Sequence, residues 1–245
     1  MKRLGLRVCF SARVGDDAFG RITQNILERN GSSAGVRVVK GSSSSYTVVV
    51  APPRIDRIFL HAPGTNNEYG PEDLDPKLVG MGRLFHFGYP TLMRRMFLNE
   101  GRELQQLFQT ARRAGVTTSC DLAMPDPTSE AGMAPWPTIL ENVLPYIDVF
   151  PPSVEEAFLL LEREAYLRMR TENPGKDIID LLEPGDYRRL ADRLLDMGAR
   201  VVVLKAGHHG LYLRSGSRKG IEAMGAGRPA DPDNWAEREL WAPSF

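Results

Sequence analysis

The chain predicts an α/β fold, a mostly parallel sheet flanked by helices with a small antiparallel β lid. Three observations predict it. Short apolar, β-branched runs alternate with helical segments along most of the chain, the pattern of a sheet covered on both faces. Over residues 36–61 that alternation gives way to three short strand-like runs separated by turn residues, the lid. A length of 245 residues, with 42% hydrophobic and 25% charged, is enough to bury a sizeable core as one domain.

Taken in order, Arg7 to Ala12 reads as a strand, and Phe19 to Asn30 as a helix with Phe19, Ile22, Ile26 and Leu27 on one face, closed by Gly31. Val36 to Lys40, Tyr46 to Val50 and Arg57 to His61 are the three lid strands, divided by the Gly41 to Ser45 and Ala51 to Arg54 turns. Alternation then resumes: strand Leu84 to Phe87, helix Glu100 to Ala114 ending at Gly115, strand Val116 to Cys120 and strand Ile147 to Phe150. Helix Tyr187 to Met197, ending at Gly198, and strand Arg200 to Leu204 follow. Glu162 to Gly185 is charged and carries no assignment, and Ser215 to Glu237, polar and rich in Gly and Pro, reads as a surface loop. No internal repeat is visible.

Composition excludes some functions. Lys plus Arg and Asp plus Glu number 31 each, so no global field draws in nucleic acid or an acidic membrane, and the expected partners are small molecules or protein chains. Apolar runs such as Val201 to Leu204 or Phe158 to Leu161 are too short to span a bilayer. Met1 to Gly5 leads into a strand without a signal-peptide apolar region, so the expected location is cytoplasmic. Cys9 and Cys120 sit in or at the end of apolar runs and read as reduced core residues. His61, His86, His208 and His209 show no metal-ligand spacing.

Three segments carry chemistry, each with a purely structural alternative. Gly15-Asp16-Asp17-Ala18-Phe19-Gly20 lies between a strand and a helix, at the end of an open α/β sheet where ligands bind. An Asp there is equally a good N-cap. Pro152-Ser153-Val154-Glu155-Glu156-Ala157 places Ser153 and Glu156 in the spacing of a capping box. A capped helix start is also where an anion is stabilised, so both roles are compatible. Lys205-Ala206-Gly207-His208-His209-Gly210 ends a strand in a turn whose glycines let a nucleotide approach the backbone; the alternative is a plain hairpin, Val201 to Leu204 returning as Leu211 to Arg214. His208 and His209 at its tip read as solvated turn residues.

In this order the three segments resemble the ribokinase-like (pfkB-type) carbohydrate kinases. The resemblance implies a ribokinase-like fold, with 1–245 a partial domain, and ATP-dependent phosphoryl transfer to a sugar or sugar-like alcohol. Its cofactors would be ATP and Mg2+. Lys205, Gly207 and Gly210 would then lie by the nucleotide. Glu156 falls on the family's Asn-x-x-Glu carboxylate and Ser153 on its Asn, both by magnesium and phosphate. Asp17, Gly88 in His86-Phe87-Gly88-Tyr89, and Asp121 would lie toward the substrate cleft. A sugar or nucleoside is the implied substrate, and a homodimer through the lid the implied assembly.

The family's Gly-Ala-Gly-Asp anion hole and base has no match here, so no catalytic residue is assigned and the chain is expected to be an inactive fragment, truncated at both ends. Gly225-Ala226-Gly227-Arg228 imitates that motif. Pro229 and Pro232 exclude the apolar helix that should follow it, and an Arg cannot accept the hydroxyl proton. The alternatives are a non-catalytic sugar- or nucleotide-binding regulatory protein and a nucleoside kinase of the same fold. A dehydrogenase is disfavoured because no G-x-G-x-x-G follows a strand and opens a helix.

Overall fold

The computed structural model describes residues 1–53 and 58–244. Arg54 and Arg57, which bound the predicted second lid turn and third lid strand, lie outside them. The chain begins with β1 (Ser11–Gly15), α1 (Ala18–Arg29) and β2 (Gly35–Val39), and β1 pairs with β2 in parallel, Ser11 opposite Gly35 and Gly15 opposite Val39. A lid follows from β3 (Tyr46–Val50) and β4 (Ile58–Ala62), antiparallel with Tyr46 opposite Ala62.

The lid is therefore two-stranded. The run at Val36 to Lys40, expected to belong to it, pairs with β1 instead. A 12-residue helix separates the two strands, a crossover long enough for parallel neighbours, and the sequence alone does not distinguish that from a third hairpin strand. The apolar face predicted for α1 is also not in the core: Phe19, Ile22 and Ile26 are exposed, and Phe19 stacks on Tyr46 of the lid at 4.8 Å. Cys9, expected to be buried, is exposed, whereas Cys120 is buried and its thiol is pushed up by burial.

The rest of the chain builds α2 (Pro76–Gly80), β5 (Leu84–Phe87), α3 (Arg94–Phe97), α4 (Arg102–Arg113), β6 (Thr117–Cys120), α5 (Trp136–Val143), β7 (Val149–Phe150), α6 (Val154–Leu161), α7 (Arg163–Glu172), α8 (Pro184–Asp196), β8 (Val201–Lys205), β9 (Leu211–Ser215), α9 (Arg218–Glu222), α10 (Pro232–Trp235) and β10 (Glu239–Ala242). The main sheet runs β10-β9-β8-β7-β6-β5; its four strands from β5 to β8 are parallel, and β9 and β10 extend it antiparallel. Among the described residues no helix is long and apolar enough to cross a membrane.

Helix periodicity explains the core. Leu104, Leu107, Phe108 and Ala111 on α4, and Tyr187, Leu190, Ala191 and Leu194 on α8, recur at three- and four-residue spacing and are buried. Each fully buried Leu or Phe contributes about 1.5–3 kcal/mol of transfer free energy. Helix α6 buries every residue except Glu155, because α5, α7, α8 and β8 all pack on it, which is why Ala157 to Leu161 is continuously apolar. The charged stretch left unassigned from Glu162 to Gly185 contains α7, and the segment expected to be loop from Ser215 to Glu237 contains α9 and α10.

The amino ends of the parallel strands are tied by buried charge. Asp148, its side chain 1% exposed, is paired with Arg112 at 2.9 Å and with Arg200, and accepts from the Thr118 amide at 2.9 Å. Gly225-Ala226-Gly227-Arg228 packs at this same end. The Ala226 amide donates to the Gly115 carbonyl at 2.9 Å, the Gly227 amide to Thr117 Oγ1 at 2.9 Å, and Arg83 Nε to the Ala226 carbonyl at 3.0 Å.

Candidate functional site

The carboxyl ends of the parallel strands bring four of the candidate residues together. Strand β6 runs out into Asp121, β7 into Pro152 and Ser153, and β8 ends on Lys205. The Lys205 amide donates to the Pro152 carbonyl at 3.0 Å, and Ser153 and Lys205 form an isolated parallel bridge in the register of the β7–β8 pairs. The Lys205 side chain crosses in front of β7, its Nζ 2.6 and 2.7 Å from the two Asp121 oxygens.

Ser153 and Glu156 complete the arrangement. The Ser153 amide donates to Glu156 Oε2 at 2.7 Å and the Glu156 amide to Ser153 Oγ at 3.1 Å, a reciprocal capping box that opens α6 toward Lys205. The box satisfies orphan amides and also fixes the carboxylate, so the structural role is real and leaves the electrostatics of the site intact. Burial raises the Glu156 carboxyl above its ordinary range; its bond from the Ser153 amide and the charge of Lys205 oppose the rise, and Asp121 adds to it. Two carboxylates and one ammonium thus share one electrostatic neighbourhood.

Gly88 and His86 border it. A Cβ on Gly88 would lie 3.6 Å from His86 Nε2 and 3.8 Å from Asp121 Cβ, so Gly88 follows β5 directly beside Asp121. His86 Nδ1 is 3.1 Å from Ser119 Oγ, and burial, aided by Lys205 and opposed by Asp121, holds its imidazole below the ordinary range. The sequence places the His86-Phe87-Gly88-Tyr89 segment at a strand end toward the substrate cleft but gives His86 itself no role. The missing signal was Ser119, two residues before Asp121 on the neighbouring strand and opposite His86 in register.

Asp17 belongs to a different group. It caps α1 by accepting from the Gly20 amide at 2.8 Å, and it also accepts from the Ser44 amide and hydroxyl, each at 2.7 Å. These bonds, Gly20 first, hold its carboxyl below the ordinary range. It thereby anchors the loop leading into the lid to the start of α1.

After β8 the chain turns through Gly207 and Gly210, at φ of +52° and +92°. The hairpin alternative is what forms: β8 and β9 pair antiparallel, and the glycine loop that joins them follows Lys205. The loop is packed on its outer side, since a Cβ on Gly207 would stand 3.0 Å from Ile179 Cδ1 and one on Gly210 would stand 2.0 Å from the Ala242 carbonyl oxygen. His208 and His209 are exposed, but they are paired with Asp180 rather than only solvated.

Sequence comparison matches the model of the pfkB family carbohydrate kinases over residues 1–226. The chain belongs to that family. It is 23% identical over 220 residues to an uncharacterized sugar kinase of Archaeoglobus fulgidus, covering 89% of this chain and 74% of that protein. It is 29% identical over 135 residues to a fructokinase of Solanum tuberosum, covering 53% of this chain and 41% of the relative. The fructokinase structure from Xylella fastidiosa superimposes with a TM-score of 0.66 at 17% identity over 87% of this chain and 60% of that one. A putative ribokinase II from E. coli in complex with ATP and Mg2+ gives 0.64 at 18% identity, covering 100% of this chain and 64% of the other. This pfkB chain thus has a ribokinase-like fold, and it spans well under two thirds of several relatives it matches.

Proposed function

We propose that this chain carries the nucleotide and magnesium side of an ATP-dependent carbohydrate kinase site, with a sugar or sugar-like alcohol as acceptor. The observation that supports this best is the convergence of Lys205, Asp121, Ser153 and Glu156 at the carboxyl ends of β6, β7 and β8, the end at which open α/β sheets bind ligands. The acceptor class rests on the fructokinase and sugar kinase relatives.

The donor set fits the proposed group. Magnesium prefers one or two carboxylates with retained water and substrate phosphates, and Asp121 and Glu156 lie close enough to feel each other's charge. Glu156, fixed by the Ser153 amide, would hold the ion through water, and when bound the ion would neutralise charge on the phosphates. Lys205, already aimed across β7, would steer the phosphate chain as a point charge, with Asp121 holding the ammonium in place until a nucleotide competes for it. Gly207 and Gly210 would form the adenine side. Gly88 and Asp121 would face the acceptor, and Asp17 would keep the lid approach in place. A homodimer through β3 and β4 is supported by Val48, Val49 and Val50, 42–50% exposed on the lid. The proposed location is cytoplasmic.

Phosphoryl transfer also needs donors stabilising the moving charge and a base for the hydroxyl proton. Within residues 1–245 the one segment that imitates them, Gly225 to Arg228, sits at the amino ends of β5 and β6, opposite Lys205. This supports a second reading, that the chain alone binds ligand without turnover. A coupled ADP-release assay over pentoses, hexoses, keto-sugar acids and nucleosides separates the two. Nucleotide binding with background turnover is expected; robust magnesium-dependent turnover overturns the non-catalytic reading, and a nucleoside as best acceptor overturns the sugar assignment.

A further inference from the structure

We propose that Asp180, His208 and His209 form a binding site for a divalent transition-metal ion on the rim of the β8–β9 loop. His208 Nε2 lies 3.0 Å and His209 Nε2 3.1 Å from the same Asp180 oxygen, Oδ1. The three ligand atoms all fall within 4.8 Å of one another. In a tetrahedral zinc site with nitrogen and oxygen ligands about 2.0–2.1 Å from the ion, neighbouring ligand atoms stand about 3.3 Å apart. The two Asp180–histidine distances therefore need to open by only a few tenths of an ångström to admit an ion, and the two imidazole nitrogens stand no more than 4.8 Å apart.

The loop geometry aims both rings. Side chains at adjacent helical positions normally diverge. Here the positive φ at Gly207 and Gly210 bounds a single tight turn, and the two imidazoles lie with centroids 4.1 Å apart, tilted by 42°, over one carboxylate. Asp180 is presented by a separate turn, Ile178–Asp180, which is anchored by the buried Ile178 and by the contact line of Ile179 with Gly207. The ligands come from two segments far apart in sequence, so an ion would tie the loop after β8 to the turn before α8.

The chemistry of the donors selects the ion. Two imidazoles and one carboxylate suit zinc, cobalt, nickel or copper rather than magnesium or calcium, which take oxygen ligands. The side chains are 60%, 46% and 48% exposed for His208, His209 and Asp180, so an ion can enter and a fourth position stays open to water. The alternative is a hydrogen bond from His209 and a close contact from His208 to Asp180, with no affinity for metal. The site is independent of the kinase proposal, since its test reads metal binding and no nucleotide.

The untagged chain, stripped with chelator, would be titrated with Co2+ followed by visible absorption and with Zn2+ by calorimetry. One equivalent of Co2+ should bind with the intense visible bands of a four-coordinate site, and Zn2+ should displace it. His208→Ala, His209→Ala and Asp180→Asn should each weaken binding at least tenfold, with circular dichroism showing retained folding, and His61→Ala should leave it unchanged. Absence of saturable binding, or equal affinity in the wild type and both histidine variants, would overturn the proposal.

Discussion

Lys205 Nζ contacts both carboxylate oxygens of Asp121, at 2.6 and 2.7 Å, and so joins the carboxyl ends of β8 and β6 across the intervening β7. The pair is only partly withdrawn from water, with Lys205 44% and Asp121 17% exposed, so it contributes little to folding. Lys205→Met is expected to change stability by no more than about 1 kcal/mol in urea unfolding. The same substitution should weaken Mg-ATP binding by an order of magnitude or more in calorimetry, because it removes an ammonium at the proposed phosphate end. A large stability loss with unchanged affinity would place the pair in the scaffold instead.

Glu156 gives a pH signature. Its carboxyl is raised from an ordinary value of 4.5, with burial the largest cause. The folded state therefore holds the proton more tightly than the unfolded chain, and the slope of unfolding free energy with pH is negative in that range. Glu156 carries no penalty below pH 4.5; stability falls as pH rises from 4.5 through its raised folded value and is level above it. Glu156→Gln, which keeps the capping geometry, should flatten this segment of the stability profile. Urea titrations of both proteins across that range check it, and identical profiles would refute it.

Much of this site was legible in the sequence, and what was not has identifiable causes. Strand ends and the Ser153-x-x-Glu156 pattern are local, so the sequence alone puts Asp121, Ser153, Glu156 and Lys205 at strand or helix ends. Their mutual distances depend on strand order, which no local pattern encodes. The same holds for β2: a βαβ crossover and a hairpin strand have the same β-branched composition, and only pairing with β1 decides between them. Phe19, Ile22 and Ile26 obey helical periodicity yet are exposed, since periodicity reports a face and not what covers it. His208 and His209 showed no metal spacing because their third partner, Asp180, is in a separate turn before α8.

Asp148 should be a stability determinant. Its carboxylate is buried between Arg112 and Arg200 and accepts the Thr118 amide at 2.9 Å. Asp148→Asn leaves two guanidinium groups without their counter-charge and should cost about 3 kcal/mol, read as a lowered urea midpoint with an unchanged slope. A loss below about 1 kcal/mol would show that water already screens the group.

Gly225 separates a packing role from a phosphate-binding one. A Cβ there would stand 2.2 Å from the Val116 carbonyl carbon, at the amino end of β6. Gly225→Ala should destabilise by about 1–3 kcal/mol through overpacking and leave Mg-ATP affinity unaltered. Selective loss of nucleotide affinity without destabilisation would return this segment to the binding site.

The most direct test is an Mg-ATP titration followed by backbone amide shifts, with Trp241 fluorescence as a second probe. Trp241 on β10 packs with its ring centroid 4.9 Å from that of Tyr212 on β9, and the Ala242 carbonyl next to it abuts Gly210. Binding is expected in the range of about 0.1–1 mM. The shifts should concentrate in Leu204 to Leu211 and around Ser153 and Glu156, with a change in Trp241 emission. Saturable shifts confined to residues 10–25, with Leu204 to Leu211 and Glu156 unmoved, would contradict the assignment of the nucleotide to the carboxyl ends of β7 and β8.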